Sequence, residues 1–186
     1  DFTFFMDGGK SSVAKNRESV IELVTGAAKT AQVQDADFAI FEEVDLDSTR
    51  SYHVNQIDLL SQTFPDYYYQ YAINYDSAFL MVPPWEPHGK SLSSIAFYSR
   101  FPITSAIRRS FPVASGFGKF LDLDRCYSVS KISVSDSSDL CIYSVHMSAY
   151  GNDESVREGQ MKMLMEDMKS ERDAGNYVIC GGDFNH

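Results

Sequence analysis

Residues 139–185 read DLCIYSVHMSAYGNDESVREGQMKMLMEDMKSERDAGNYVICGGDFN, and two hydrophobic periods follow one another along them. DLCIYSVH (139–146) is an apolar run of strand length. From 154 to 174 the residues Val156, Met161, Leu164, Met165 and Met168 supply one helical side, and Gly175-Asn176 is a helix-ending signal. YVIC (177–180) is a second short buried strand, and it leads into Gly-Gly-Asp-Phe-Asn (181–185). A long helix between two buried strands is a crossover unit, as in a sheet that carries helices. In the first strand residues 140, 142, 144 and 146 share one face, and 141, 143 and 145 the other.

Working back from this stretch, 127–134 and 139–146 are the arms of a hairpin that turns at Ser135-Asp136-Ser137-Ser138. Further strands are predicted at 37–44, 67–75, 94–100 and 103–111. Helices are predicted at 12–33 and 51–64, the second with Val54, Ile57, Leu60 and Phe64 as its apolar side and Pro65 as its stop. Residues 76–90 hold Pro83, Pro84, Pro87 and Gly89 and read as a long loop. Hairpins mixed with crossovers imply an α/β protein with a mixed sheet carrying helices.

The 186 residues fit one domain, and no run approaches the roughly 20 apolar residues that span a bilayer. The net charge is −10, so the basic footprint of a protein that tracks a nucleic-acid backbone is missing. A nuclease stays open, because a bound divalent cation reverses the local field. Cys126, Cys141 and Cys180 are an odd number without C-x-x-C spacing and read as small buried hydrophobes.

Several residues carry candidate chemistry. Gly8-Gly9-Lys10-Ser11 resembles part of a phosphate loop, but Phe4 stands where G-x-x-x-x-G-K-[ST] needs glycine, and a surface turn is the better account. Glu42-Glu43 closes a strand of Phe38, Ile40 and Val44, and acids there need water, a cation or a donor. Taken alone, the pair is a solvated strand end or a ligand set. Asp183 and Asn185 follow two glycines that let other groups come close to the backbone, and they read either as an Asx-type turn or as two groups facing one site. His146 ends its strand as a structural hydrogen-bonding group or as a catalyst. His88, in the Pro-rich loop, is a weaker candidate for substrate contact. Tyr67, Tyr68, Tyr69 and Trp85 could stack on a base or sugar, although strand packing accounts better for the tyrosines. Three separate strands thus end in Glu43, in His146, and in Asp183 with Asn185. In sheets with crossover helices ligands gather outside the carboxyl ends of strands, and these groups are the parts of metal-assisted phosphoester hydrolysis.

The ordered set Phe-Glu-Glu-Val-Asp (41–45), Ser-Ile-Ala-Phe-Tyr-Ser-Arg-Phe-Pro-Ile (94–103), Tyr-Ser-Val-His-Met (143–147), Arg-x-x-Gln-x-x-x-Leu (157–164) and Gly-Gly-Asp-Phe-Asn (181–185) resembles the endonuclease/exonuclease/phosphatase superfamily. The resemblance implies a four-layer α/β sandwich, two mixed sheets packed face to face with helices outside. It implies a divalent cation, Mg²⁺ with Mn²⁺ as the alternative, held by Glu43. It further implies that Asp183 orients the attacking water, that Asn185 contacts the scissile phosphate and that His146 lies on the phosphate side. Arg125 is read as structural, and Arg157 and Gln160 as helix groups supporting the loop after His146. The family's first strand, with a metal-binding Asn, and its C-terminal Asp-His segment have no counterpart. Residues 1–186 are therefore expected to be one domain truncated at both ends, weakly active or inactive alone, with exposed sheet edges that a neighbouring chain could take up.

The implied function is Mg²⁺-dependent hydrolysis of a phosphodiester or phosphomonoester by in-line attack of a metal-assisted water. The acidic balance favours a small ester or a lipid headgroup as the substrate. A metal-dependent nuclease is the alternative, with nucleic acid as a partner that net charge disfavours. A non-catalytic binding domain that keeps the fold is the alternative of another class.

Overall fold

Strand β3 (Gly89–Ser99) is buried along almost its whole length, because it is the centre of one sheet and helices and a second sheet cover its two faces. The computed structural model describes residues 11–81, 83–113, 124–148 and 154–185. The first sheet has the order β1-β3-β2, with β1 (Phe38–Asp45) and β2 (Tyr68–Leu80) both antiparallel to β3. The second has β4 (Ser105–Ser110), β5 (Cys126–Ser135), β6 (Ser138–His146) and β7 (Tyr177–Asp183) in that order. Its β6 and β7 run parallel, joined across helix α3 (Glu154–Asp173), and its other pairs are antiparallel.

Alternation along the strands builds four layers. Ala96 and Tyr98 of β3 pack with Ala28 of helix α1 (Arg17–Gln32) and with Ile57, Leu60 and Phe64 in and after helix α2 (Gln56–Thr63). Phe97, between them in sequence, faces the other sheet and packs with Ile132 and Ile142. On β6 the opposite set, Cys141, Tyr143 and Val145, packs with Leu164 of α3. Polar bonds pin that helix: the Tyr127 hydroxyl donates to Asp167 Oδ2 (2.7 Å), and Lys131 Nζ meets Glu171 (2.8 Å). The layers are therefore helices, sheet, sheet, helix, as the family resemblance implies. Cys126, Cys141 and Cys180 are free thiols, two buried and one partly so, and burial pushes each up to about 11.

Some boundaries differ from the sequence-based ones for local reasons. Helix α1 starts at 17, not 12, because Asn16 caps it: its Oδ1 accepts from Ser19 N (2.8 Å), and Asn16 N donates to Ser19 Oγ. The residues before it are tied elsewhere, Ser12 to Glu86 and Ala14 N to Arg50 O. A short 3₁₀ turn (Thr49–Ser51), followed by left-handed Tyr52 and His53, delays α2 until Asn55 caps it. The 76–90 loop is shorter than predicted: β2 continues to Leu80, with Ser77 opposite Ser91 and Leu80 opposite Gly89. Gly8, Gly9 and Lys10 of the glycine-rich turn lie outside the described residues. Among the described residues no helix is long and apolar enough to cross a membrane.

Between the sheets the side chains change from apolar to polar along β1 and β6, and an inward series on β2 also ends in a polar group. On β1 the inward series is Phe38, Ile40, Glu42. On β6 it is Leu140, Ile142, Ser144, His146. On β2 it is Gln70, Ala72, Asn74. The polar ends of all three series meet at one place.

Candidate active site

Two irregularities on either side of β3 aim this site. On β1 the register passes from Phe41 opposite Ala96 to Val44 opposite Ser94, so one extra residue is inserted. On β2 it passes from Ile73 opposite Ser94 to Tyr75 opposite Ser93, and Asn74 is the extra residue. Bulges of this kind bend a strand and re-aim side chains, often beside active sites. The first bulge returns Val44 to the helix side, leaves Glu42 facing the second sheet, and puts Glu43 at φ 53° with its side chain 58% exposed.

Glu42 enters the space under β6 and β7. Its Oε2 is 3.6 Å from His146 Nδ1. Both of its carboxylate oxygens are buried without a hydrogen-bond donor. Burial, with the Asp183 and Glu43 carboxylates adding to it, pushes the Glu42 carboxyl up to about 8, while Arg125 opposes the shift. The approach requires Gly182: a Cβ there would lie 2.7 Å from Glu42 Oε1 and 2.1 Å from Val145 O, and its φ is 134°. The second glycine of Gly-Gly-Asp thus makes room for a carboxylate from the other sheet.

Glu43 is held from outside. Arg50 grips Asp45 with two bonds of 3.0 Å and reaches Glu43 Oε2 at 3.4 Å. His146 is buried at the end of β6, opposite Asp183 in the parallel ladder. Its Nδ1 lies 2.8 Å from Asn74 Nδ2. Burial, helped by Arg125, pulls the imidazole down to about 4, against the pull of Glu43 and Asp183, so it is neutral near pH 7. Asp183 Oδ1 accepts from Asn185 N (2.9 Å), which is the Asx-type turn, and Asn185 Nδ2 donates to Met147 O (2.9 Å). That turn and the strand ladder fix both side chains beside the exit of β6.

Of the two helix groups named from the resemblance, Gln160 reaches the loop after His146. Gln160 is fully buried; its Oε1 accepts from Ser148 N (3.1 Å), and its Nε2 donates to Ser148 Oγ and Pro112 O (both 2.8 Å). Arg125 is buried and near enough to act electrostatically on both Glu42 and His146. His88 is also buried, among Arg50, Asp45 and Glu86, and not exposed in its loop.

Of the four residues singled out in the sequence, the structure sets His146, Asp183 and Asn185 side by side, leaves Glu43 on Arg50 but near enough to act electrostatically on His146, and adds Glu42 and Asn74. Glu42 was visible only as one of a pair whose orientation the bulge decides. Asn74 had one signal, an amide of low strand preference inside an aromatic strand. Among the described residues no three His, Cys, Asp or Glu side chains are grouped so as to enclose an ion.

A four-layer α/β sandwich with polar groups gathered at the carboxyl ends of strands from both sheets is the class this molecule falls in. Residues 8–186 match the Endonuclease/Exonuclease/phosphatase family, and the chain belongs to it. Its fold is accordingly the phosphoesterase- and nuclease-type fold of that family. Similar solved structures include an endonuclease/exonuclease/phosphatase from Beutenbergia cavernae DSM 12333, at 15% identity over 87% of this chain and 42% of that one, with TM-score 0.67. A family protein from Leptotrichia buccalis C-1013-b is 18% identical, with 94% and 63% covered and TM-score 0.63. ANGEL2, a 2′,3′-cyclic phosphatase, is 18% identical, with 86% and 42% covered and TM-score 0.59. At these identities the likeness is one of fold. The chain spans 42%, 63% and 42% of the length of these three structures. A search of curated proteins finds no match.

Proposed function

We propose that this chain carries the strand-end half of a Mg²⁺-dependent phosphoesterase site and that the protein hydrolyses a small phosphate ester or a lipid headgroup. The observation that carries this reading is Glu42, whose buried carboxylate oxygens lack a donor and face Asp183, Glu43 and His146. A carboxylate in that position is costly unless a cation or a proton compensates it. Oxygen donors of this kind fit a hard cation, and Mg²⁺ typically takes only one or two carboxylates and keeps water and phosphate oxygens as its other ligands. Glu43, with Glu42 beside it, would hold the ion. When bound, such an ion polarises a phosphoryl oxygen and stabilises charge on the leaving oxygen.

The chain's own residues supply the rest. Asp183 accepts a hydrogen bond from the attacking water and orients it in line. Asn185 spends one amide hydrogen on Met147 O and keeps a second for a phosphoryl oxygen. His146, neutral and buried, faces the charge that develops on the same group. The net charge of −10 supports a small substrate over long duplex DNA.

The test is release of p-nitrophenol from bis-p-nitrophenyl phosphate and from p-nitrophenyl phosphate by the gene's full-length product, with a single-stranded oligonucleotide alongside. Asp183→Ala should lower turnover by roughly 10² or more. The preferred ester separates diesterase from phosphatase, and preference for the oligonucleotide would favour the nuclease. Silence on all three substrates would favour the non-catalytic binding domain.

A further inference from the structure

We propose that Asn74 fixes His146 as the tautomer with its proton on Nε2, so that the ring serves as a neutral hydrogen-bond donor and not as a proton acceptor. The role of that donor toward a phosphoryl oxygen rests on the phosphoesterase reading; the tautomer does not.

Asn74 is 1% exposed and stands at the bulge of β2, where the extra residue turns its amide toward the second sheet. Its Nδ2 is 2.8 Å from His146 Nδ1. With its NH₂ toward the ring and its Oδ1 buried without a partner, the amide donates, and a contact of this length then requires a lone pair on Nδ1. A neutral imidazole has a single N–H, which is then on Nε2. Glu42 does not compete for Nδ1, because its nearer oxygen is 3.6 Å away, beyond hydrogen-bond reach. A ring with a lone pair on Nδ1 carries one proton and no charge. The bulges of β1 and β2 lie on either side of the same stretch of β3, Ser93 to Ala96; the first sets Glu42 and the second sets Asn74. Asn74 is thus a positioning residue that acts through His146.

The ring nitrogens can be observed directly. The ¹⁵N-labelled chain, free of metal at pH 7, is measured by long-range ¹H–¹⁵N correlation, and His146 is assigned among the four histidines by the signals lost in His146→Gln. The expected pattern is a protonated Nε2 and an unprotonated Nδ1. Asn74→Asp should reverse it, since a carboxylate accepts from Nδ1–H, and turnover of bis-p-nitrophenyl phosphate by the full-length product should fall about 10²-fold. A proton on Nδ1 in the parent would overturn the inference, and this needs no variant to fold. The same pattern in Asn74→Asp as in the parent would also overturn it. The expected pattern in a protein that hydrolyses no ester would uphold the tautomer while the phosphoesterase reading failed.

Discussion

Glu42 is the residue whose surroundings make the sharpest demand. Its carboxyl is raised from 4.5 to about 8 by burial and by Asp183 and Glu43. A group with a raised folded-state pKa contributes stability that is complete below its unfolded value and is lost as pH rises through the folded one. The lowered His146 and His88 give the opposite trend, a gain as pH rises to about 6.5, so the Glu42 loss shows by itself between about pH 6.5 and 8: metal-free protein should lose thermal stability there, and Glu42→Gln should flatten that loss, which denaturation in EDTA checks. His146 and Asp183 were legible as positions because each ends a strand whose alternation is unbroken, and Asn185 because the Asx-type turn after β7 is a local motif. The choice between Glu42 and Glu43 was not, because a one-residue bulge reverses every face beyond it and leaves no mark in a period-2 pattern. Asn74 was hidden for the same reason.

At the level of elements, β7 and α3 show how little freedom the site has. Gly182→Ala would place a methyl on Val145 O and Glu42 Oε1 at a φ of 134°, so a loss of at least about 3 kcal/mol is expected in urea unfolding. Gln160→Ala would leave Ser148 N and Pro112 O without their partner; about 1–3 kcal/mol should be lost, with reduced turnover as the loop after His146 relaxes. Helix α3 and the β5–β6 hairpin could be read from periodicity and turn chemistry alone. The far end of β2 could not, because Asp76, Ser77 and Leu80 lack strand composition and are held by pairing with β3.

For the whole molecule, the two sheets have different tasks. The first brings the Glu42 carboxylate and the Asn74 amide through its two bulges, and the second brings His146 and Asp183 on adjacent parallel strands. Neither sheet has the set alone, and their face-to-face packing through Phe97, Ile132 and Ile142 brings the groups together. The four layers could be anticipated from the resemblance, while the meeting of the three inward series needs the third dimension. The most direct measurement is the Mg²⁺ dependence of bis-p-nitrophenyl phosphate hydrolysis by the full-length gene product, in the parent, in Glu42→Gln and in Glu43→Gln. The expected result is no turnover in EDTA, recovery with Mg²⁺, and a half-saturating Mg²⁺ concentration raised about tenfold or more in each variant, roughly 1.4 kcal/mol of lost binding. Equal turnover in EDTA, or one Mg²⁺ dependence shared by all three proteins, would contradict a cation site at these strand ends.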